Sequence, residues 1–199
     1  MILPPFEFPL VIVSSPRCGS GALGFHIQKL YDRNFFNEPD ANPDKLKKFL
    51  DFTKTSNEYI VKFLGNSIKN YPGGFQEKLF SGKFNTIKLR RENVVEQIAS
   101  YYVAWIRDKW AYRADELDNY DPTAPIQIDK QIIDLAINHI RFENNIVKNF
   151  KADISLTYEQ ITENIDAGII VKTPIPANYD EVIDLVLKRY DLWKSRYAS

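Results

Sequence analysis

The chain has 199 residues, 44% of them apolar, and its 26 basic residues balance its 26 acidic ones, so bulk charge gives no reason to expect nucleic acid or a membrane surface as partner. A single cysteine excludes an intrachain disulfide, and two histidines leave a Cys/His zinc site short of ligands. No segment approaches the roughly 18–20 consecutive apolar residues that span a bilayer, and the length suits one domain, 1–199, with a substantial core.

Residues Met1–Val13 are apolar, but they contain Pro4, Pro5 and Pro9 and lack a basic start, so they lead into a first strand and are not read as a signal peptide. Strand 10–15 is followed by a helix over 19–31 with Ala22, Leu23, His26, Ile27 and Leu30 on one face. An extended piece over 33–38, helix 43–53, strand 59–64 and helix 74–81 come next. Strand 85–91 runs into helix 92–110, with Val94, Val95, Ile98, Tyr102, Trp105 and Ile106 on one side. After a loop rich in Asp, Pro and Tyr over 113–127 come helix 129–149, strand 153–158, a short helix over 159–164, and helix 179–197. Strands alternating with helices predict an α/β fold: three layers, a central parallel sheet and right-handed crossovers.

Two segments carry chemistry. The run Leu10-Val11-Ile12-Val13 ends in Ser14-Ser15-Pro16-Arg17-Cys18-Gly19-Ser20-Gly21-Ala22 and passes directly into a helix. A strand, a tight Gly-containing loop and a helix N-terminus together bind anions, because the first helical turn leaves its amides unpaired and carries partial positive charge. Arg17 adds a cation, and Ser15 and Ser20 add hydroxyls. A Walker A loop is excluded, since no lysine follows Gly19 or Gly21. A dinucleotide fingerprint over Gly19, Gly21 and Gly24 is not adopted either, since no acidic residue suits the ribose role. The plainer alternative is a strand–turn–helix without a ligand.

The second segment is Phe84-Asn85-Thr86-Ile87-Lys88-Leu89-Arg90-Arg91 with the helix after it. Arginines at the carboxyl end of a strand stand on the edge where open α/β sheets bind ligands, and Ser100 lies further along the same helix. A solvated strand end with a packing serine is the alternative. Lys45, Lys47 and Lys48 read as a solvated helix face.

In these residues the chain resembles the sulfotransferases that use 3′-phosphoadenosine 5′-phosphosulfate (PAPS), and among them the bacterial carbohydrate and lipid branch. Pro16-Arg17-Cys18-Gly19-Ser20-Gly21 is similar to the family's 5′-phosphosulfate loop, with Cys18 in place of the usual Ser and Gly21 in place of a hydroxyl residue. Leu89-Arg90-Arg91-Glu92-Asn93 through Gln97 and Ser100 is similar to its 3′-phosphate segment. Leu156-Thr157-Tyr158-Glu159-Gln160-Ile161 resembles a strand-ending motif, and Asn37-Glu38-Pro39 falls where this branch often carries an acidic residue near the reacting centre. The four matches span residues 10 to 162 in the family's order.

The resemblance implies a P-loop-like fold, PAPS as donor, PAP as product, no metal, and an acceptor hydroxyl of carbohydrate or lipid class. It implies Arg17 as the cation at the bridging oxygen and the amides of Cys18, Gly19, Ser20, Gly21 and Ala22 around the 5′-phosphate. Arg90 or Arg91 would hold the 3′-phosphate with Ser100, with Arg91 favoured by spacing. Glu38 is the first candidate for general base, aimed consistently if Pro39 holds it extended; His26 is the second, and His139 is read as structural. Cys18 as a nucleophile activated by the helix N-terminus lacks a His partner. Trp110, Tyr112 and Tyr120 offer an aromatic wall for a sugar, or a simple cover for the core. A catalytically silent phosphonucleotide-binding module and an ATP-dependent small-molecule kinase are the rival readings. The lack of an anchor segment points to a cytoplasmic protein of prokaryotic or viral origin.

Overall fold

The computed structural model describes residues 6–70, 77, 83–110, 121, 123–163, 165 and 175–197. The chain forms two units, Met1–Glu92 with Glu143–Ile170, and Asn93–Phe142 with Val171–Ser199.

The first unit is built on apolar runs of strand length. They give β1 (Leu10–Ser14), β2 (Asn34–Asn37), β3 (Tyr59–Leu64), β4 (Asn85–Arg90) and β5 (Ile154–Thr157), joined in one five-stranded sheet of order β2-β3-β1-β4-β5. Every pairing is parallel, and such sheets are covered on both faces, so their central strands are apolar throughout. All five residues of β1 are buried. On one face Leu10, Ile12, Ile60, Ile87, Leu89 and Leu156 pack under Leu23 and Ile27 of α1 (Ser20–Tyr31) and Ile161 of α5 (Tyr158–Thr162). On the other, Val11, Val13, Val61 and Phe63 pack under Phe49 of α2 (Pro43–Thr53) and Val147 at the end of α4 (Lys130–Asn149). The unit is thus a three-layer α/β structure with an all-parallel centre.

Asn42 caps α2 by accepting from the amides of Asp44 and Lys45, with Pro43 in the first turn. Thr157 and Gln160 form a reciprocal capping box at α5. Thr86 and Asp153 tie β4 to the lead-in of β5, Asp153 accepting from both the amide and the hydroxyl of Thr86 at 2.8 and 2.7 Å.

The second unit packs α3 (Val94–Ile106), the first part of α4 and α6 (Tyr179–Tyr197) around Ile98, Tyr102, Ile133, Ala136, Ile137, Ile140, Val182 and Val186. The Tyr102 hydroxyl donates to the Gln127 carbonyl and accepts from the Asp129 amide, pinning the approach to α4. His139 stacks on Tyr101 with ring centroids 5.0 Å apart, and burial lowers its pKa. Among the described residues no helix is long and apolar enough to cross a membrane.

Several expected boundaries and faces shift. The helix expected over 92–110 starts at Val94, because Asn93 accepts from the Glu96 amide as its cap, and it ends at Ile106. Trp105, expected inward, is 38% exposed beside Tyr101. On α1 the buried face is Ser20, Leu23, Gly24 and Ile27, while Leu30 stands 59% exposed. Gly24 is the reason: a Cβ there would come within 2.1 Å of the Phe35 ring, so α1 turns this side onto β2. The helix expected over 74–81 and the aromatic residues Tyr112 and Tyr120 lie outside the described residues.

Gly24→Ala is therefore expected to destabilise the protein although Ala is the better helix former by about 1 kcal/mol, because overpacking against Phe35 costs about 1–3 kcal/mol. A lowered melting temperature checks this; an unchanged or raised one rejects the close packing of α1 on β2.

Candidate anion site at the carboxyl edge of the sheet

β1 is central, so the loop after it opens at the middle of the sheet's carboxyl edge, where open parallel sheets bind ligands. The loop is closed at its base, the Ser14 hydroxyl donating to the Ser20 Oγ at 2.8 Å with both side chains buried. Arg17 at φ 61 and Gly19 at φ 72 are both left-handed. Positive-φ residues in a loop of this kind are the backbone ingredient of anion-binding nests, and α1 starts at the next residue, Ser20. Gly19 is required twice over, by its φ and because a Cβ there would lie 2.9 Å from the Tyr158 ring. Gly21 has room, its nearest neighbour being Asn37 Nδ2, 4.0 Å from where a Cβ would stand.

Cys18 is fully buried beneath the loop, 3.0 Å from the Ser15 hydroxyl. Burial pushes its thiol up to about 11, against the smaller opposing effects of Ser15, Arg91 and Lys62. A raised thiol pKa runs against the activated-nucleophile reading, which needs a thiolate, and full burial makes the sulfur part of the packing around Leu23 and Ile161.

The same electrostatics show what surrounds the loop. Arg91 and Lys62 both act on Cys18, and so does Glu159 with opposite sign. Arg91, just past β4, lies over the Tyr158 ring at 4.4 Å, the ring that covers Gly19. Glu159 accepts from the Glu92 amide through both oxygens at 3.2 Å, fixing the turn that carries Arg91. Arg90 is exposed, since it follows Leu89 in the alternation and turns away from the α1 face. Of the two arginines, Arg91 is the one beside the loop.

Glu38 departs from expectation in conformation. It is left-handed, φ 47 and ψ 61, rather than extended. Its amide donates to the Lys62 carbonyl at 3.0 Å and its carboxylate pairs with Lys62 Nζ, and these two contacts hold it against the preference imposed by Pro39. The side chain is nonetheless directed by the fold, through Lys62 rather than through proline. Asn37, beside Gly21, brings this turn up to the start of α1. His26 is half-buried on α1 between Leu23 and Ile27. Ser100 is on α3, in the second unit, and is half-buried.

Two charged residues of the site went unnoticed in the sequence reading. Lys62 is 5% exposed, and a buried lysine is stable only when paired. Its signal was legible: a lone cation inside Tyr59-Ile60-Val61-Lys62-Phe63-Leu64. Glu143 gave none, lying in the polar-looking stretch Arg141-Phe142-Glu143-Asn144. It is fully buried and accepts from the Asn66 amide at 3.2 Å, at the turn after β3. Burial raises its pKa, while the amides of Asn66 and Gly65 and the charge of Lys62 lower it and Glu38 raises it.

At the opposite edge, near the starts of β1, β3 and β4, a groove of about 790 Å³ is lined by Pro9, Leu46, Leu50, Tyr59 and Phe84; it is separate from the anion loop. Among the described residues no group of three or more His, Cys, Asp or Glu is arranged to hold a metal ion. No protein-family model matches the chain, and no curated protein matches it.

Because the thiol ionises near its ordinary value of 9.0 in the unfolded chain and only near 11 in the fold, stability is intact below pH 9 and falls as pH rises toward 11. Cys18→Ala is expected to flatten that loss in pH-dependent unfolding. Iodoacetamide at pH 8 should label the folded protein on the order of 100-fold more slowly than the unfolded chain; equal rates reject a buried thiol.

Proposed function

We propose that this protein is a sulfotransferase that moves the sulfuryl group of PAPS to a hydroxyl of a carbohydrate or lipid. The observation that carries the reading is the convergence of three cations and a carboxylate on one sheet edge: Arg17 within the loop after β1, Arg91 over the Tyr158 ring that covers Gly19, and the Glu38–Lys62 pair at the turn whose Asn37 lies beside Gly21. That set matches the needs of an in-line transfer, which requires a held anion, neutralised charge on the leaving oxygen and a proton acceptor.

In this reading the amides of Cys18 through Ala22 hold the 5′-phosphosulfate and Arg91 holds the 3′-phosphate. The acceptor oxygen attacks sulfur, the bond from sulfur to the bridging oxygen breaks, PAP leaves, and the acceptor's proton passes to Glu38. Arg17 and Lys62 offset the charge that grows on the bridging oxygen. Lys62 also gives Glu38 its direction, so the base and one cation are set by a single ion pair. His26 is the reserve base. The kinase reading lacks its P-loop lysine, since Ser20 follows Gly19, Ala22 follows Gly21, and the loop's cation, Arg17, stands before both glycines. The silent-module reading leaves the paired Glu38 and Lys62 without a task.

PAP is expected to raise the melting temperature more than ATP with magnesium, by mass action on the folded state; the reverse order favours a kinase. Arg91→Ala should narrow the preference for PAP over AMP by about 1.5–3 kcal/mol, while Arg90→Ala leaves it nearly unchanged; titration calorimetry separates them, and equal effects reject the assignment to Arg91. Glu38→Gln should lower turnover by at least about 100-fold with PAP binding nearly intact, and Arg17→Ala should depress turnover more than binding. Loss of both in proportion would reduce either residue to a binding contact.

A further inference from the structure

The amino edge of the sheet holds a groove that the transfer chemistry does not use. Leu46 and Leu50 of α2 line it together with Pro9 and Phe84, which lead into β1 and β4, and its volume is about 790 Å³. That volume lies within the range of pockets that hold small organic molecules. The five residues of β1, rising about 3.3 Å each, put about 16 Å between this edge and the anion loop.

Tyr59, the first residue of β3, also lines the groove and is 2% exposed. Phe36, Phe49 and Phe52 pack edge-on against its ring and hold it in place. Among the described residues its hydroxyl has no hydrogen-bond partner, yet it is not sealed off from the groove. Burial pushes that hydroxyl up to about 12, so at neutral pH it keeps its proton and is a donor. A buried donor without an acceptor is costly, and native folds keep few of them. Here the acceptor can come only from what enters the groove.

The charges around the groove narrow the choice. Lys47, Lys54 and Lys83 line it with one acidic residue, Asp51, and Lys54 pairs with that carboxylate at 2.8 Å. Lys47 and Lys83 are exposed, and among the described residues neither makes an ion pair. Two ammonium groups and a phenol therefore offer donors beside an apolar floor. A matching occupant carries a negatively charged acceptor on an apolar body.

We propose that this groove is a binding site for an amphiphilic carboxylate. Its apolar body lies on Leu46, Leu50 and Phe84, and its carboxylate accepts from the Tyr59 hydroxyl and pairs with Lys47 and Lys83. The site does not rest on the transferase reading, since no residue of the anion loop lines it.

Decanoate is the probe, titrated calorimetrically into the whole protein below its micellar concentration. It should bind at one site, and more tightly than decyltrimethylammonium, which has the same chain and the opposite charge. Tyr59→Phe should weaken decanoate binding by about 10-fold. Without ligand the same variant should melt no lower than the parent, because no internal hydrogen bond is lost. Lys47→Gln combined with Lys83→Gln should weaken binding roughly 5-fold and flatten its dependence on salt. Arg91→Ala, at the other edge, should leave it unchanged. Absent binding, equal binding of the two amphiphiles, or a larger loss from Arg91→Ala than from Tyr59→Phe overturns the site. A lowered melting temperature of ligand-free Tyr59→Phe overturns the unpartnered hydroxyl on which it stands. Decanoate binding by a protein that takes up no PAP keeps the groove and rejects the transferase; PAP binding without decanoate binding rejects the groove alone.

Discussion

A parallel sheet puts the carboxyl ends of all its strands on one edge, and this constraint organises the first unit. Each strand delivers its following residues to the same place: Pro16 to Gly19 from β1, Asn37 and Glu38 from β2, Gly65 and Asn66 from β3, Arg91 from β4, Tyr158 and Glu159 from β5. None of these segments is close to the others in sequence. The order β2-β3-β1-β4-β5 puts the anion loop at the centre, with Lys62 one strand away on one side and Arg91 one strand away on the other. The loop itself depends on two left-handed residues and the Ser14–Ser20 bond, and the Tyr158 ring leaves no room for any side chain at position 19.

Charge in this unit is concentrated where it is expensive. A buried carboxyl and a buried ammonium group, Glu143 and Lys62, lie beside clusters made mostly of Val, Ile, Leu and Phe. Such groups seldom raise stability over apolar replacements. The buried Cys18 shows the opposite economy. At a helix N-terminus its thiol had an apparent route to reactivity, but full burial keeps it protonated, so it contributes packing beneath the loop. Tyr158 and Glu159 likewise have explicit work: the ring covers Gly19 and carries Arg91, and the carboxylate fixes the Glu92 amide.

The amino-acid sequence by itself determined the alternation of strands and helices, and with it the parallel α/β sheet, because apolar runs of strand length and helical spacing are local properties of the chain. It determined the strand–loop–helix around Gly19 for the same reason, since small residues, Arg17 and Gly19 between a strand and a helix are contiguous. That Arg91 and not Arg90 lies beside the loop is a tertiary fact, because it depends on which way the residues ending β4 turn relative to Tyr158, 67 positions along the chain from Arg91. So did the conformation of Glu38: proline sets a local preference for extended backbone, and a distant lysine overrides it by ion pair and backbone bond. Leu30 and Gly24 exchanged places for a related reason, the face of α1 being settled by the Phe35 ring and not by the helix's own pattern. Glu143 lay furthest from view. The Asn66 amide that it accepts from is brought to it only by the crossover that returns α4 to the end of β3, and no local pattern distinguishes a buried carboxylate from a solvated one before that contact is made.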